Sequence, residues 1–218
     1  MPVDLITPIL KEIDADMTIR RPVSEQDVVE MSKDADGIIM HGSVPLSRDT
    51  ISKMKRVKVV ARTGVGVDRM DLAAAKEHGI TICNAAGCNS IEVSEQAIGL
   101  MIAISRKLVR MNQYVHDGKW KRHTAELHAY RGKVYRIQGR TMGIVGLGHV
   151  GKQVAPRALG MRLNVQTYDP YLDEKIAKEY GVRMVAFDGP GASSGFISIH
   201  APLTKQTRNM FRTRQFKA

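Results

Sequence analysis

Thr141-Met-Gly-Ile-Val-Gly-Leu-Gly-His-Val-Gly-Lys152 decides the fold of this chain. Met142 to Val145 is a short, mostly apolar run of the kind that fills a buried parallel strand. Gly146, Gly148 and Gly151 follow at the G-x-G-x-x-G spacing, and a helical pattern starts at once with His149-Val-Gly-Lys-Gln-Val-Ala155. Each glycine has its own task in such a strand–turn–helix. One makes the tight turn, the next lets backbone approach a pyrophosphate, and the last lets the helix pack closely on the strand. Free N–H groups at the helix N-terminus then face the phosphates. An acid belongs about 20 residues on, where it accepts ribose hydroxyls. Asp169 stands 18 residues after Gly151 (169 − 151) and closes a second apolar run, Leu163-Asn-Val-Gln-Thr-Tyr168. Together these features predict a dinucleotide site. The carboxylate at 169 favours NAD, because it repels a 2′-phosphate.

Upstream of the fingerprint, strands and helices alternate. Val3-Asp-Leu-Ile6 is at best a strand stub, and Thr7-Pro8 reads as an N-cap and first helical position of a helix to about Ile13. Met17–Ile19 is expected as a strand, and Ser24-Glu-Gln-Asp27 as a capping box. Gly37–Met40, Val57–Val60 and Ile80–Cys83 read as strands, with helices over Ser47–Met54 and Leu72–His78 and a glycine-rich loop at Arg62-Thr-Gly-Val-Gly-Val-Asp68. Ser90 to about Asp117 is the longest helical pattern, with Val93, Ala97, Leu100, Met101, Ile104 and Leu108 on one apolar face. Residues 119–138 are basic and aperiodic. Beyond the fingerprint come a helix at Asp173–Tyr180, a strand at Val182–Val185, a loop at 187–195, a strand at Phe196–His200 and a helix starting at Thr207. The alternation predicts an α/β protein with parallel sheets.

Composition narrows the function. The 218 residues, 43% apolar, suffice for one large or two small domains. No apolar run is long enough for a membrane helix, and the N-terminus carries no signal-peptide pattern. Cys83 and Cys88 are too few for a disulfide framework or a zinc cluster, so they read as reduced thiols of a cytoplasmic protein with no metal site. The net charge of +11 is concentrated. Ten Lys/Arg lie between Ser105 and Arg140 against Asp117 and Glu126, and a basic run follows Thr204. With 5% aromatics and no nucleic-acid-binding motif, this reads as a solvated or subunit-facing basic surface rather than a specific nucleic-acid site.

Five stretches recur in a familiar order: Arg62-Thr-Gly-Val-Gly-Val-Asp68, Asn89-Ser-Ile-Glu-Val-Ser-Glu95, Asp117-Gly-Lys-Trp120, Gly143-Ile-Val-Gly-Leu-Gly-His-Val-Gly151 and Ser198-Ile-His-Ala-Pro-Leu-Thr204. In them the chain resembles the NAD-dependent D-2-hydroxyacid dehydrogenases, particularly the phosphoglycerate dehydrogenase group. The resemblance implies a flavodoxin-like substrate domain over 1–98, a connecting helix and dimerisation arm over 99–139, and an incomplete Rossmann domain over 140–218. It implies that Arg62, Gly64, Val65 and Gly66 form the substrate loop. The Val65 and Gly66 amides would take the carboxylate, with Val65 also facing the nicotinamide. Gly146, Gly148, His149, Val150 and Gly151 would line the pyrophosphate, Asp169 the adenosine ribose, and Tyr168 and Pro170 the adenine. His200, Ala201 and Pro202 would wall the adenosine half.

The departures are as informative. The family's catalytic arginine, glutamate and histidine sit in an Asn-x-x-Arg-Gly motif, near a Glu-Pro pair, and in a Pro-His motif. None of these motifs occurs here, so the resemblance places all three beyond Ala218. His41, His116, His123 and His128 have no acid at a spacing that makes a dyad, and read as surface or packing residues. Pro156 falls inside the helix after the fingerprint. The expected activity is NAD-dependent hydride transfer to or from a small anionic 2-hydroxy acid by a homodimer, with this chain unable to complete the reaction. The alternatives are a non-catalytic, NAD-responsive, corepressor-like binding protein and an inactive fragment.

Overall fold

The computed structural model describes residues 3–42, 44–120, 125–187 and 194–217. Most of the expected 187–195 loop, and His123, lie outside them. The chain divides into two compact units, residues 1–88 and 89–218.

The first unit is an open parallel sheet with helices. Its elements are α1 (Val3–Lys11), α2 (Glu25–Met31), β1 (Gly37–Met40), α3 (Arg48–Lys53), β2 (Val59–Arg62), α4 (Leu72–Glu77) and β3 (Thr81–Asn84). The strands lie in the order β1-β2-β3, all parallel, and the register brings Met40, Arg62 and Asn84 level at the carboxyl edge. Side-chain caps start the helices. Ser24 and Asp27 form the expected reciprocal capping box on α2, Ser47 accepts from Thr50 N–H, and Asp71 accepts from Ala74 N–H. Val28, Leu46, Ile51, Val60, Ala74 and Ile80 fill the core between helices and sheet.

The start of the chain corrects the sequence reading. Val3–Ile6 is helical, not strand: α1 runs through Pro8, with Asp4 in its first turn and Lys11 in its last complementing the dipole. Thr7 does not cap; its hydroxyl donates back to the Val3 carbonyl at 3.0 Å. Met17–Ile19 forms no strand, since among the described residues no neighbouring strand pairs with it.

The second unit contains α5 (Ser90–Arg106), α6 (Leu108–His116), α7 (Ala125–Arg131), β4 (Thr141–Val145), α8 (Gly151–Gly160), β5 (Asn164–Tyr168), α9 (Glu174–Glu179), β6 (Arg183–Met184), β7 (Phe196–Ile199) and α10 (Thr213–Lys217). Its four strands are parallel, in the order β6-β5-β4-β7. The chain moves outward from β4 through β5 to β6, then returns to the other side of β4 with β7. The point between β4 and β7 is therefore the topological switch of a doubly wound sheet. Met142, Ile144, Leu147, Val154, Ala155, Ala158, Leu163 and Val165 make the core.

Three further expectations change. The long helix breaks at Lys107, which takes the left-handed conformation (φ 57°), so α5 and α6 are separate. The break follows a buried Ser105 whose hydroxyl back-bonds to Met101 O at 2.6 Å, while Tyr135 N–H takes the Ser105 carbonyl. The basic connector is not wholly irregular, because α7 forms in it. The helix expected from Thr207 begins only at Thr213, because Thr207 is used in a turn: its hydroxyl accepts from Thr204 N–H at 2.7 Å and donates to Pro202 O at 2.5 Å.

The packing of α5 also differs from its pattern. It buries Ser90, Ser94, Met101 and Ser105, and it packs on α8. The more apolar stripe stays open, with Leu100 52%, Ile104 66% and Leu108 50% exposed. Ala97, Ile98, Met101 and Ile102 pack on the core that includes Val154, Ala155 and Ala158 of α8.

Candidate functional site: a nucleotide cradle and a separate amide loop

The cradle is built at the switch point of the second sheet. β4 ends buried at Val145, and Gly146 turns the chain with φ 91°, which a side chain rarely adopts. A Cβ on Gly146 would lie 2.9 Å from the Ala201 nitrogen and 3.0 Å from the His200 carbonyl carbon, so the turn and the exit of β7 are in close contact. Around Gly148 there is open space, leaving its backbone accessible. At Gly151 a Cβ would overlap the Gly146 carbonyl oxygen, so only glycine lets α8 start this close to the loop. His149 is exposed, and Val150 is half-buried against the core at the N-terminus of α8.

Asp169 follows the end of β5, the strand beside β4. One carboxylate oxygen accepts from Leu147 N–H at 2.9 Å and the other from Tyr171 N–H at 3.0 Å. The acid is thereby tied to the glycine turn itself, a link the 18-residue spacing did not reveal. Tyr168 is half-buried and packs edge-on against Phe187 at 5.1 Å, and Phe187 against Phe211 at 5.6 Å. Pro170 is exposed. Beyond β7, Ala201, Pro202, Leu203, Met210 and Phe211 help line a cavity of about 260 Å3. Neither Phe187 nor Phe211 stood in a recognisable motif. His200 N–H donates to Val145 O at 2.8 Å, and its Nε2 shares a 2.8 Å hydrogen bond with the Ser198 hydroxyl. Burial pushes its imidazole below the ordinary histidine value. Burial thus favours the neutral ring.

The second constellation belongs to the first unit, at the carboxyl edge of its sheet. Arg62 ends β2, and its Nη1 donates to Gly42 O at 2.9 Å, while its buried Nε has no hydrogen-bond partner. Thr63 N–H donates to Met40 O at 3.1 Å, and the Thr63 hydroxyl shares a 2.9 Å bond with His41 Nδ1. His41 is thus an exposed member of this edge, in keeping with its place just after a buried strand. Gly64, Val65 and Gly66 follow. A Cβ on Gly66 would approach Asp68 Oδ1 to 2.9 Å. Among the described residues, the N–H groups of Val65 and Gly66 donate to no protein acceptor. Two consecutive open amides beside a guanidinium suit an anion. Among the described residues no group of three or more His, Cys, Asp or Glu is placed to hold a metal ion.

Switch point, glycine turn and carboxylate define the second unit as a dinucleotide-binding fold. Residues 98–218 match the model of the D-isomer-specific 2-hydroxyacid dehydrogenase NAD-binding domain, and the chain belongs to that family. It is 34% identical over 202 residues to D-3-phosphoglycerate dehydrogenase of Archaeoglobus fulgidus, covering 93% of this chain and 37% of the relative. It is 33% identical over 188 residues to hydroxypyruvate reductase of Thermotoga maritima, covering 86% and 58%. Among solved structures, NAD-dependent formate dehydrogenase from Staphylococcus aureus in complex with NAD is 29% identical with a TM-score of 0.83, covering 99% of this chain and 63% of that one. The chain spans less than two thirds of each of them. The cradle fits NAD: Gly146 and Gly151 leave no room for side chains, Gly148 is open, and the Asp169 carboxylate is bonded to the glycine turn.

Proposed function

We propose that the chain supplies the cofactor and carboxylate sites of an NAD-dependent D-2-hydroxyacid oxidoreductase. In this reading hydride passes between the nicotinamide and C2 of a small anionic 2-hydroxy or 2-keto acid. One observation carries the reading: a chain with this family's NAD-binding domain also holds a glycine-rich loop with two open N–H groups at a sheet's carboxyl edge. Arg62, Gly64, Val65 and Gly66 bind the carboxylate. Gly146, Gly148, His149, Val150 and Gly151 hold the pyrophosphate, and Asp169 the ribose. Tyr168 and Pro170 stand at the adenine, with His200, Ala201 and Pro202 as its wall. Bound NAD supplies the hydride acceptor or donor, while the residues here bind and orient.

Proton transfer is the function these residues lack. His41 bonds to Thr63, His128 to Arg131 and His200 to Ser198, and no histidine–carboxylate hydrogen bond or ion pair occurs among the described residues. Residues 1–218 alone are therefore expected to bind NADH without turnover. NADH fluorescence titration and NADH oxidation with glyoxylate, pyruvate and hydroxypyruvate test this. Failure to bind NADH defeats the whole reading. Turnover approaching an enzyme's ordinary roughly 10 per second defeats the inactive-alone part.

The exposed stripe of Leu100, Ile104 and Leu108, flanked by basic residues, supports self-association through α5 and α6 as a homodimer. No helix among the described residues is long and apolar enough to cross a membrane. The free, exposed thiols of Cys83 and Cys88 support a reducing, cytoplasmic setting.

A further inference from the structure

The glycine-rich loop of the first unit does not hold its own shape. Two bonds from the exit of β3 hold it. Ala85 N–H donates to the Gly64 carbonyl at 3.2 Å, and Asn84 Nδ2 donates to the Val65 carbonyl at 2.7 Å. A trans peptide is planar, with its C=O and N–H pointing in opposite directions, and this chain has no cis bond among the described residues. Fixing the Gly64 carbonyl toward β3 therefore sends Val65 N–H away from it, and fixing the Val65 carbonyl does the same for Gly66 N–H. These are the two amides that meet no protein acceptor.

We propose that Asn84 is the positioning residue of the carboxylate site. Its side-chain amide anchors the Val65 carbonyl, so that the Val65 and Gly66 N–H groups present themselves together to one anion. This rests on reading residues 62–68 as the substrate loop. The chemistry demands a donor at position 84. The carbonyl of Val65 is an acceptor, so an aspartate there, which when ionised only accepts, would push the peptide round instead of holding it. Alanine would leave the peptide free to rotate and the cradle unformed in most molecules. The register of β2 on β3, with Arg62 beside Asn84, brings the donor to the loop as it leaves the sheet.

The test uses the 15N-labelled chain saturated with NADH and titrated with oxamate, a carboxylate analogue of 2-keto acids. In the wild-type chain oxamate is expected to move the Val65 and Gly66 amide protons downfield and to slow their exchange. Asn84→Ala and Asn84→Asp are expected to weaken oxamate binding about tenfold, consistent with losing a charge-assisted contact, and to shrink both shifts. NADH affinity should stay unchanged, because Asn84 is outside the glycine fingerprint, and the dispersed amide spectrum of residues 1–88 shows that the first unit of each variant is folded. Variants that bind oxamate as tightly as wild type, with the same amide shifts, overturn the positioning role while leaving the substrate-loop reading intact. Oxamate that fails to bind the wild-type chain, or binds without moving these amides, overturns the loop reading and this inference with it. Should both variants unfold, the wild-type chain still decides. In the wild-type chain labelled with both 13C and 15N, a through-hydrogen-bond coupling between Asn84 Nδ2 and the Val65 carbonyl carbon supports the role, and its absence overturns it.

Discussion

The glycines of the cradle have different tasks, and substitution separates them. Gly151→Ala forces a methyl into the Gly146 carbonyl and against Ile144 Cγ2 at 3.3 Å. It should cost about 1–3 kcal/mol in urea unfolding, the range for overpacking a closed site, and weaken NADH binding along with it. Gly148→Ala meets nothing within 4 Å. Its stability should stay within about 0.5 kcal/mol of wild type, so any loss of NADH affinity there reports the backbone's approach to the pyrophosphate. His200 gives a pH signature. Its folded-state value lies below the ordinary one because burial disfavours the imidazolium. The unfolded chain therefore takes up the proton first, and stability rises with pH across that interval. His200 weakens the fold as pH falls below the ordinary histidine value of about 6.5, and leaves stability unaffected above it. Denaturant melts between pH 7.5 and 5 should show that slope, and His200→Gln should reduce it.

At the scale of elements, α8 carries a contradiction within itself. Pro156 has no N–H to give the Lys152 carbonyl, yet the helix runs unbroken from Gly151 to Gly160. Pro156 is exposed, while Val154, Ala155 and Ala158 are fully buried. Burial of the inner face holds a helix whose outer face disfavours it. Pro156→Ala should accordingly raise the unfolding free energy by about 1–3 kcal/mol, read as a higher urea midpoint with unchanged NADH binding. Lys107 is another strained position. Its left-handed backbone separates α5 from α6, and Lys107→Gly removes the Cβ conflict there. A stabilisation below about 1 kcal/mol is expected by the same melt, because glycine also gives up more freedom on folding.

At the scale of the whole molecule stands the exposed apolar stripe of α5 and α6. If it seats a second copy, replacing Leu100 and Ile104 together by glutamate should turn a dimer into a folded monomer in sedimentation velocity. NADH binding in the second unit should persist. A wild-type chain that sediments as a monomer at tens of micromolar would remove the proposed interface.

Sequence legibility followed locality. The fingerprint, Asp169 and the Ser24–Asp27 box were readable because each rests on residues a turn or a short spacing apart, with a fixed chemical reason. The strands β1 to β7 came through within a residue or two because short apolar runs between turn residues have few alternatives. The start of the chain did not: Val3–Ile6 satisfies a strand pattern and a helix pattern alike, and only the absence of a paired neighbour settles it. The amphipathic pattern of the long helix was visible, yet the pattern cannot say which stripe faces the protein. The tertiary structure packs Ala97, Ile98, Met101 and Ile102 onto the core that includes Val154, Ala155 and Ala158 of α8, and leaves Leu100 and Ile104 open. In the same way Asn84, His41, Phe187 and Phe211 carry no motif. Their places come from strands brought level in a sheet and from rings meeting across distant turns. The sequence by itself determined that this is a parallel α/β chain with an NAD cradle, because glycine conformations and the spacing from the glycine turn to an acid at the next strand end are local requirements. Only the tertiary structure decided which side chains aim the loop amides and which helix face remains uncovered, because both depend on contacts between residues far apart in the chain.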